Sequence, residues 1–418
     1  MSDNSVLGES TTIVSEVDSR SKNIAIQWPP RKASAPEVSV VIPCLNEADT
    51  LEACIAKAQR ALGEHRINGE IIVADNGSTD GSQAIATRMG TRLVYVEAKG
   101  YGNALMGGIA AARGRFVIMG DADDSYDFLQ LPRFVDKLRE GFGLVQGCRL
   151  PSGGGTVLPG AMPFLHRWWG NPMFSRMARG MFHTAIHDVY CGMRGFTKDL
   201  YDRLDQRCTG MEFATEMIIK ASMFGEKVAE VPITLHPDGR KSHTPHLKTF
   251  RDGWRTLRFF LMYCPRWLFT IPGGVLVFLG MVGYAVAMPG LRLGGVAFDA
   301  HTLLFASLAI LCGYQSILFS IFTKTFAINE GLIPEDPELA RFFKLVNLER
   351  GLILSAATVV VGIILLAAAI NQWRLASFGT LDYAQTMRLV VPGVTLTALG
   401  FQTILSSFFV SILGMSRR

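Results

Sequence analysis

Four stretches of this sequence run for twenty residues or more without a charged side chain: Leu268–Leu291, Leu303–Thr323, Gly351–Ile370 and Leu389–Gly414. A hydrocarbon core takes about 20 apolar residues to cross, and a helix buried in a soluble domain seldom stays uncharged on every face for that length. Four membrane spans are therefore expected within residues 268–415. They restrict the remaining fold to a soluble part lying on one side of the bilayer.

The short loops indicate which side. Between the second and third spans lie Lys324, Arg341, Lys344 and Arg350, whereas the other two loops carry only Arg292, and Arg374 with Arg388. An even number of spans puts both ends together, and basic residues collect on the cytoplasmic side. The soluble part is thus expected in the cytoplasm. In the middle loop, Asp336-Pro337 reads as a cap and first-turn proline opening a helix along the membrane surface, with Leu339, Phe342, Phe343 and Val346 as its apolar positions.

Only 18% of the 418 residues are charged, and the net charge is a modest +5. Seven cysteines, an odd number with no CxxC pair and no zinc spacing, read as reduced thiols of a cytosolic domain. Residues 1–36 mix charges with serines and lack a long apolar core, so they read as a disordered tail without a secretory signal.

Residues 37–244 alternate short β-branched runs with helix-like stretches. The runs are Val38–Pro43, Glu70–Asp75, Leu93–Glu97 and Arg115–Asp121; the helices are Glu47–Leu62, Gly81–Met89 and Tyr101–Arg113. This alternation predicts an α/β domain whose mostly parallel sheet has helices on both faces, and ligands bind such sheets beyond the carboxyl ends of the strands. The polar clusters fall there: Asn46-Glu47, Asp75-Asn76-Gly77-Ser78, and Asp121-Ala122-Asp123-Asp124. The first two also suit a helix start and a turn. Three carboxylates within four residues repel one another unless a cation sits among them, and Mg²⁺ or Mn²⁺ favours one or two carboxylates plus diphosphate oxygens.

VSVVIPCLNE, IIVADNGSTDGS and VIMGDADDSYDF, in that order, resemble the GT-A fold of family 2 glycosyltransferases. The subgroup resembled is the polyprenyl-phosphate type, similar to dolichyl-phosphate mannose synthase and bacterial polyprenyl-phosphate glucosyltransferases. The resemblance spans about residues 38–245. It implies that Pro43, Asn46, Glu47, Asp75 and Ser78 line a base and ribose pocket. It also implies that Asp121 and Asp123, flanking Ala122, form a DxD pair for ribose and a metal-bound diphosphate. Lys99-Gly100-Tyr101-Gly102 resembles the family's glycine-rich segment. Ser125 departs from the pattern, since relatives often carry a metal-ligating glutamine there; Asp124 or a water is left to complete the shell.

Further resemblances lie on the acceptor side. Gly147-Cys148-Arg149 resembles a GxR motif, and Asp188 to Arg194 a D-x-x-x-G-x-R segment, which implies that Arg149 and Arg194 hold acceptor phosphate oxygens. Arg240-Lys241-Ser242 occurs where relatives have a basic cluster before the membrane. Phe164, Trp168, Trp169 and Phe174, mixed with Arg167, Arg176 and Arg179, suit a lipid interface or a core. Residues 245–267 read as an interfacial amphipathic helix, with Lys248, Arg251, Arg255 and Arg258 beside Leu247, Phe250, Trp254, Leu257 and Leu261.

The expected partners are a nucleotide-sugar of UDP-glucose or GDP-mannose type, a polyprenyl phosphate (undecaprenyl phosphate favoured) and membrane lipid, in a bacterial inner membrane. A homo-oligomer is left open; nucleic acid is not expected, because the basic face leads straight into a span. The resemblance implies a single inverting displacement, with general-base action by Asp123 or Asp124 left open. A processive polysaccharide synthase is disfavoured because Tyr263 stands where its Q-x-x-R-W motif needs glutamine. The intact DxD disfavours an inactive scaffold.

Overall fold

The computed structural model describes residues 24–27, 35–241, 249–293, 295–345 and 348–414. The chain divides into two units: Met1–Arg176, Ala185–Ala221 and Glu226–Lys248 make the first, and Met177–Thr184, Ser222–Gly225 and Thr249–Arg418 the second.

The first unit begins with β1 (Ile24–Gln27), β2 (Val38–Cys44), α1 (Leu51–Glu64), β3 (Gly69–Asp75), α2 (Ser82–Arg88) and β4 (Arg92–Val96). It continues with α3 (Tyr101–Ala111), β5 (Phe116–Met119), α4 (Leu131–Arg139), β6 (Leu144–Cys148), β7 (Thr156–Val157) and α5 (Asn171–Phe182). After these come β8 (Arg194–Thr197), α6 (Lys198–Leu204), α7 (Glu212–Met223), β9 (Val228–Pro232) and β10 (Thr234–Leu235). The main sheet has the order β1-β4-β3-β2-β5-β8-β6-β9. Neighbours β4, β3, β2 and β5 run parallel, as do β6 and β9, while β8 is antiparallel to both β5 and β6.

Strand alternation supplies both covered faces. Val38, Val40, Ile42, Ile71 and Val73 join one core with Leu51, Cys54, Ile55 and Ala58 of α1 and Leu131, Phe134, Val135 and Leu138 of α4. Those helical residues recur at three- and four-residue steps, the stripe a helix needs to lie on a sheet. On the opposite face α3 lies so close that a Cβ at Gly108 would stand 2.5 Å from a Val41 methyl. The expected sheet is the one observed.

One part of the expected tail is ordered differently. Ile24–Gln27 form β1, antiparallel to the β4 edge. Its alternating Ile-Ala-Ile suits an edge strand, a signal too short to stand out beside the surrounding polar sequence.

In the second unit, α8 (Thr249–Tyr263) lies within the expected interfacial helix. It buries Thr256, Phe259 and Phe260, with Phe260 edge-on to Phe182 at 5.6 Å, and leaves Trp254 exposed. Trp254, in the expected apolar stripe, therefore lies off the face that packs within the protein. Lys248 and Leu247 lie outside the described residues.

Among the described residues, four helices are long and apolar enough to cross a membrane: Arg266–Ala287, Ala300–Asn329, Leu348–Leu375 and Tyr383–Leu413. The first is a π-turn, Arg266–Thr270, continued by α9 (Ile271–Ala287); the others are α10 (Ala300–Asn329), α12 (Leu348–Leu375) and α13 (Tyr383–Leu413). Between α10 and α12 lies α11 (Pro337–Leu345), opening at the Asp336-Pro337 signal. Three of the helices extend past the uncharged runs; α10 carries Lys324, which pairs with Asp336. Helix ends can take charges where they leave hydrocarbon, so counting uncharged residues underestimates helix length.

Candidate active site

The parallel register aligns Cys44 with Asp75 and Val41 with Met119, so β2, β3 and β5 end along one edge of the sheet. Pro43 is buried in β2 beyond the last residue paired with β5, where a missing N–H is tolerated. Asp75, at the end of β3, is buried and accepts from the Gly77 N–H at 3.1 Å, the Ser78 N–H at 3.2 Å and Gln83 Nε2 at 2.8 Å. Asn46 takes a positive φ of 59° and accepts the Thr79 N–H at 2.8 Å, while Ser78 Oγ accepts the Asn46 N–H at 2.9 Å. These bonds join the turns after β2 and β3.

Asn76 ties the next turn to them. Its Nδ2 donates to the carbonyls of Val96 and Ala98 at 2.9 and 2.8 Å, and its Oδ1 accepts the Gly100 N–H at 2.9 Å. Lys99 Nζ donates to the Asn76 carbonyl at 2.6 Å. Gly100 has φ 134°, and a Cβ there would stand 2.5 Å from the Thr209 carbonyl oxygen. Only glycine meets both demands.

Asp121 and Asp123 follow β5. Asp121 Oδ1 accepts the Tyr101 hydroxyl at 2.8 Å. Burial first, and the neighbouring Asp123 charge second, push the Asp121 carboxyl up to about 6. Asp123 Oδ1 accepts the Ser125 N–H at 3.1 Å and the Ser125 hydroxyl at 2.6 Å. Ser125 therefore orients Asp123. Buried Ala122 brings its carbonyl to the Thr50 hydroxyl at 2.6 Å, fixing the turn between the two carboxylates.

Arg240 reaches this carboxylate group from far along the chain. It donates from Nε and Nη2 to Glu47 at 2.7 and 2.5 Å and from Nη1 to Asp238 at 2.9 Å, and its Nη1 lies 3.4 Å from Asp123 Oδ2. Arg240, expected as an acceptor-phosphate ligand, here has its fork engaged by Glu47 and Asp238 and lies close to Asp123. Lys241 has an exposed side chain and gives its N–H to Asp49 at 3.0 Å; Ser242 lies outside the described residues.

Three more expected site residues have partners within the protein. Asp124 has φ 59°, and its Oδ1 accepts from Lys57 Nζ of α1 at 2.7 Å. Arg149 is buried in a two-pronged pair with Asp188, Nε and Nη2 donating at 2.7 and 2.9 Å. Arg194 is fully buried, donating to the carbonyls of Ala214 and, at 2.7 Å, of Cys191, and burial pulls its pKa below the ordinary arginine value. Neither arginine presents an open guanidinium edge to a phosphate. Burying a charged fork requires such partners: Arg149 has a carboxylate, whereas Arg194 has two carbonyls and an unpartnered Nε.

With the site in view, comparison with known proteins becomes informative. The model for Glycosyl transferase family 2 matches residues 39–205, and that for Glycosyltransferase family 2 C-terminal transmembrane region matches residues 321–414. The low-salt glycan biosynthesis hexosyltransferase Agl6 of Haloferax volcanii is 34% identical over 91% of this chain and 90% of its own. The chain belongs to glycosyltransferase family 2. It is an enzyme of the membrane. This family 2 glycosyltransferase is also 32% identical to a dolichyl-phosphate hexose transferase of the same archaeon, over 47% of this chain and 82% of that protein. A solved glucosyl-3-phosphoglycerate synthase from Mycobacterium tuberculosis, in complex with Mn²⁺, uridine diphosphate and glucosyl-3-phosphoglycerate, aligns with 57% of this chain and 86% of its own at 21% identity and a TM-score of 0.44.

The site of this glycosyltransferase suits a divalent cation on its own geometry. Asp121 is a buried carboxyl whose pKa is raised by that burial first and by the Asp123 charge second, so a cation there would offset both. A Cβ at Gly192 would approach Asp121 Oδ2 to 2.6 Å, so glycine there preserves room beside that oxygen. The sequence reading did not place Asn76, Tyr101, Asp238 or Glu216 among the site residues. Glu216, buried against Lys220 at 2.9 Å, accepts the N–H groups of Arg207 and Cys208 and so steadies the loop whose Thr209 touches Gly100. Glu216 in the E-x-x-x-K spacing was the available signal, though that spacing is common on exposed helices. All seven cysteines are free.

Proposed function

We propose that this family 2 glycosyltransferase moves a hexose from a nucleoside-diphosphate sugar to a polyprenyl phosphate at the cytoplasmic membrane face. The observation that carries the reading is the mutually repelling Asp121–Asp123 pair at the end of β5, beside turns built by Asp75, Asn46 and Asn76. The names of the hexosyltransferase and dolichyl-phosphate relatives support a hexose and a lipid phosphate. Exposed Phe164, Trp168 and Trp169 support contact with lipid, and the basic loop between the second and third spans supports the cytoplasmic orientation.

Asp121 and Asp123 would hold Mg²⁺ or Mn²⁺, which when bound neutralises charge on the departing diphosphate. The chain's own groups do the remaining positioning. Tyr101 donates to one oxygen of Asp121, and Ser125 directs Asp123. Asp75, Asn46, Glu47, Ser78, Lys99 and Gly100 shape the nucleotide side. A prenyl phosphate, with a second pKa of about 6 like other monoesters, is largely dianionic at neutral pH. Its oxygen attacks the anomeric carbon as the bond from that carbon to the diphosphate breaks, inverting the centre. The nucleophile then carries no proton to remove, so the reaction needs no base, in keeping with the engagement of Asp124 by Lys57.

A panel of UDP- and GDP-sugars, assayed with undecaprenyl phosphate and Mg²⁺ or Mn²⁺, tests the reading. One donor should give a sugar-phosphoprenyl product, and prenol lacking phosphate should give none. Elongation of a glycan chain instead would overturn the acceptor assignment. Orientation is checked by labelling in intact cells: a cysteine placed at Gly295 or Gly379 should react from outside and one at Glu335 should not.

A further inference from the structure

Arg240 is unusual among the site residues because it binds the groups that should receive the donor. Its contacts with carboxylates are graded. Glu47 takes two short bonds at 2.5 and 2.7 Å, Asp238 one at 2.9 Å, and Asp123 only the 3.4 Å approach. The backbone around it is laid along the DxD turn. His236 donates its N–H to the Ser125 carbonyl at 2.9 Å, Gly239 to the Asp123 carbonyl at 3.0 Å, and Lys241 to Asp49 at 3.0 Å. A Cβ at Gly239 would stand 2.9 Å from the Thr50 methyl, so the extended segment of residues 236–241 needs glycine to lie this close.

We propose that Arg240 is a displaceable counter-ion of the donor site: it neutralises Glu47 and Asp123 before the donor binds and gives up Asp123 to the incoming cation. This rests on the donor reading above. A carboxylate oxygen that receives a divalent cation cannot also keep a guanidinium at 3.4 Å without bringing two positive charges together. The long Asp123 contact is the one to yield, while the two-pronged Glu47 pair retains the side chain nearby. Arg240 is thus a positioning residue. Loading the donor loosens the 236–241 segment from the turn beneath it, and that segment carries Lys241, an exposed cation available to a lipid phosphate.

Two measurements on the full-length protein in detergent test this, neither of them turnover. The first is Mn²⁺ binding without nucleotide, followed by electron paramagnetic resonance, for wild type, Arg240→Gln and Arg240→Lys. Removing the counter-ion should tighten Mn²⁺ binding by about tenfold in Arg240→Gln, equivalent to about 1.4 kcal/mol, with Arg240→Lys close to wild type. The second is hydrogen exchange in residues 235–241 before and after addition of Mn²⁺ with UDP or GDP. Exchange should rise on loading in wild type and already be raised in Arg240→Gln. Unchanged or weakened Mn²⁺ binding in Arg240→Gln, or slower exchange on loading, overturns the displaceable role and leaves a fixed structural strap. If neither nucleoside diphosphate binds wild type with Mn²⁺, the donor reading itself falls. Melting temperature separates a binding change in Arg240→Gln from failure to fold; should that variant not fold, exchange in wild type alone decides.

Discussion

The carboxylates and the arginines of this site are opposites. Burial first, and the Asp123 charge second, raise the proton affinity of Asp121, and an arginine from far along the chain approaches Asp123 at 3.4 Å. Arg149, by contrast, is answered by Asp188, and Arg194 is held by main-chain carbonyls at both terminal nitrogens while its Nε has no partner. Unbalanced charge marks where a ligand must bring compensation, whereas balanced buried charge marks where the protein has completed its own structure. Arg149, which resembles a phosphate grip by motif, has a carboxylate partner of its own in Asp188.

The largest expected effect tests that contrast directly. Arg149→Ala leaves the Asp188 carboxylate buried without its cation and should destabilise the catalytic domain by about 3–5 kcal/mol. Thermal melting should show the loss, and Arg149→Ala with Asp188→Asn should recover part of it. A variant that melts normally and only raises KM for polyprenyl phosphate would return Arg149 to the acceptor and break the comparison.

On the unbalanced side, Asp123→Asn should fold normally but lower turnover with Mg²⁺ or Mn²⁺ at least 100-fold, about 3 kcal/mol of transition-state stabilisation. Full turnover in this variant, or in EDTA, would remove the cation from the site.

Asp121 sharpens the contrast through pH. Its folded pKa of about 6 lies above the ordinary 3.8. The folded protein therefore holds a proton that the unfolded chain has lost between about pH 4 and pH 6, and stability falls as pH rises through that window. In EDTA at pH 7.5, Asp121→Asn should melt above wild type, by at most about 3 kcal/mol at about 1.4 kcal/mol per unit. The difference should close below about pH 4. A lower melting point for the variant at pH 7.5 would mean that Asp121 is stabilised where it sits.

The smallest effect concerns Asp124. Its pair with Lys57 is partly exposed, and such pairs contribute about 0–1 kcal/mol. Asp124→Asn should change turnover less than threefold. A drop comparable with that of Asp123→Asn would restore Asp124 to the reacting group.

The two units also encode their interiors differently. In the catalytic unit the inside is apolar and the periodicity of Leu51, Cys54, Ile55 and Ala58 reveals it. Among the spans, large residues such as Phe278, Phe305 and Ile353 are exposed, and close contacts fall on small ones. A Cβ at Gly273 would stand 2.8 Å from the Gly313 carbonyl, and one at Gly400 2.8 Å from that of Ser355. Hydrocarbon solvates leucine as well as protein does, so helix packing there selects for smallness and hydroxyl bonds, such as Tyr314 to Thr403 at 2.6 Å. Hydropathy alone shows that these helices are long and apolar enough to span; it does not show which face of each meets another.

By itself the sequence determined the four spans, the alternation of strands and helices, and the placement of Asp75 and Asp121–Asp123 at strand ends, because each follows from local periodicity and residue type. Only the tertiary structure decided which charges were already answered. Arg149 meets Asp188 across 39 residues and Arg240 meets Glu47 across 193, and no local pattern encodes a partner that distant. The same holds for Ser125, whose hydroxyl turns to Asp123 because the turn after β5 is pinned by Thr50 and by the segment through Gly239. Charge in a motif is local, but its neutralisation depends on what the fold brings within about 3 Å.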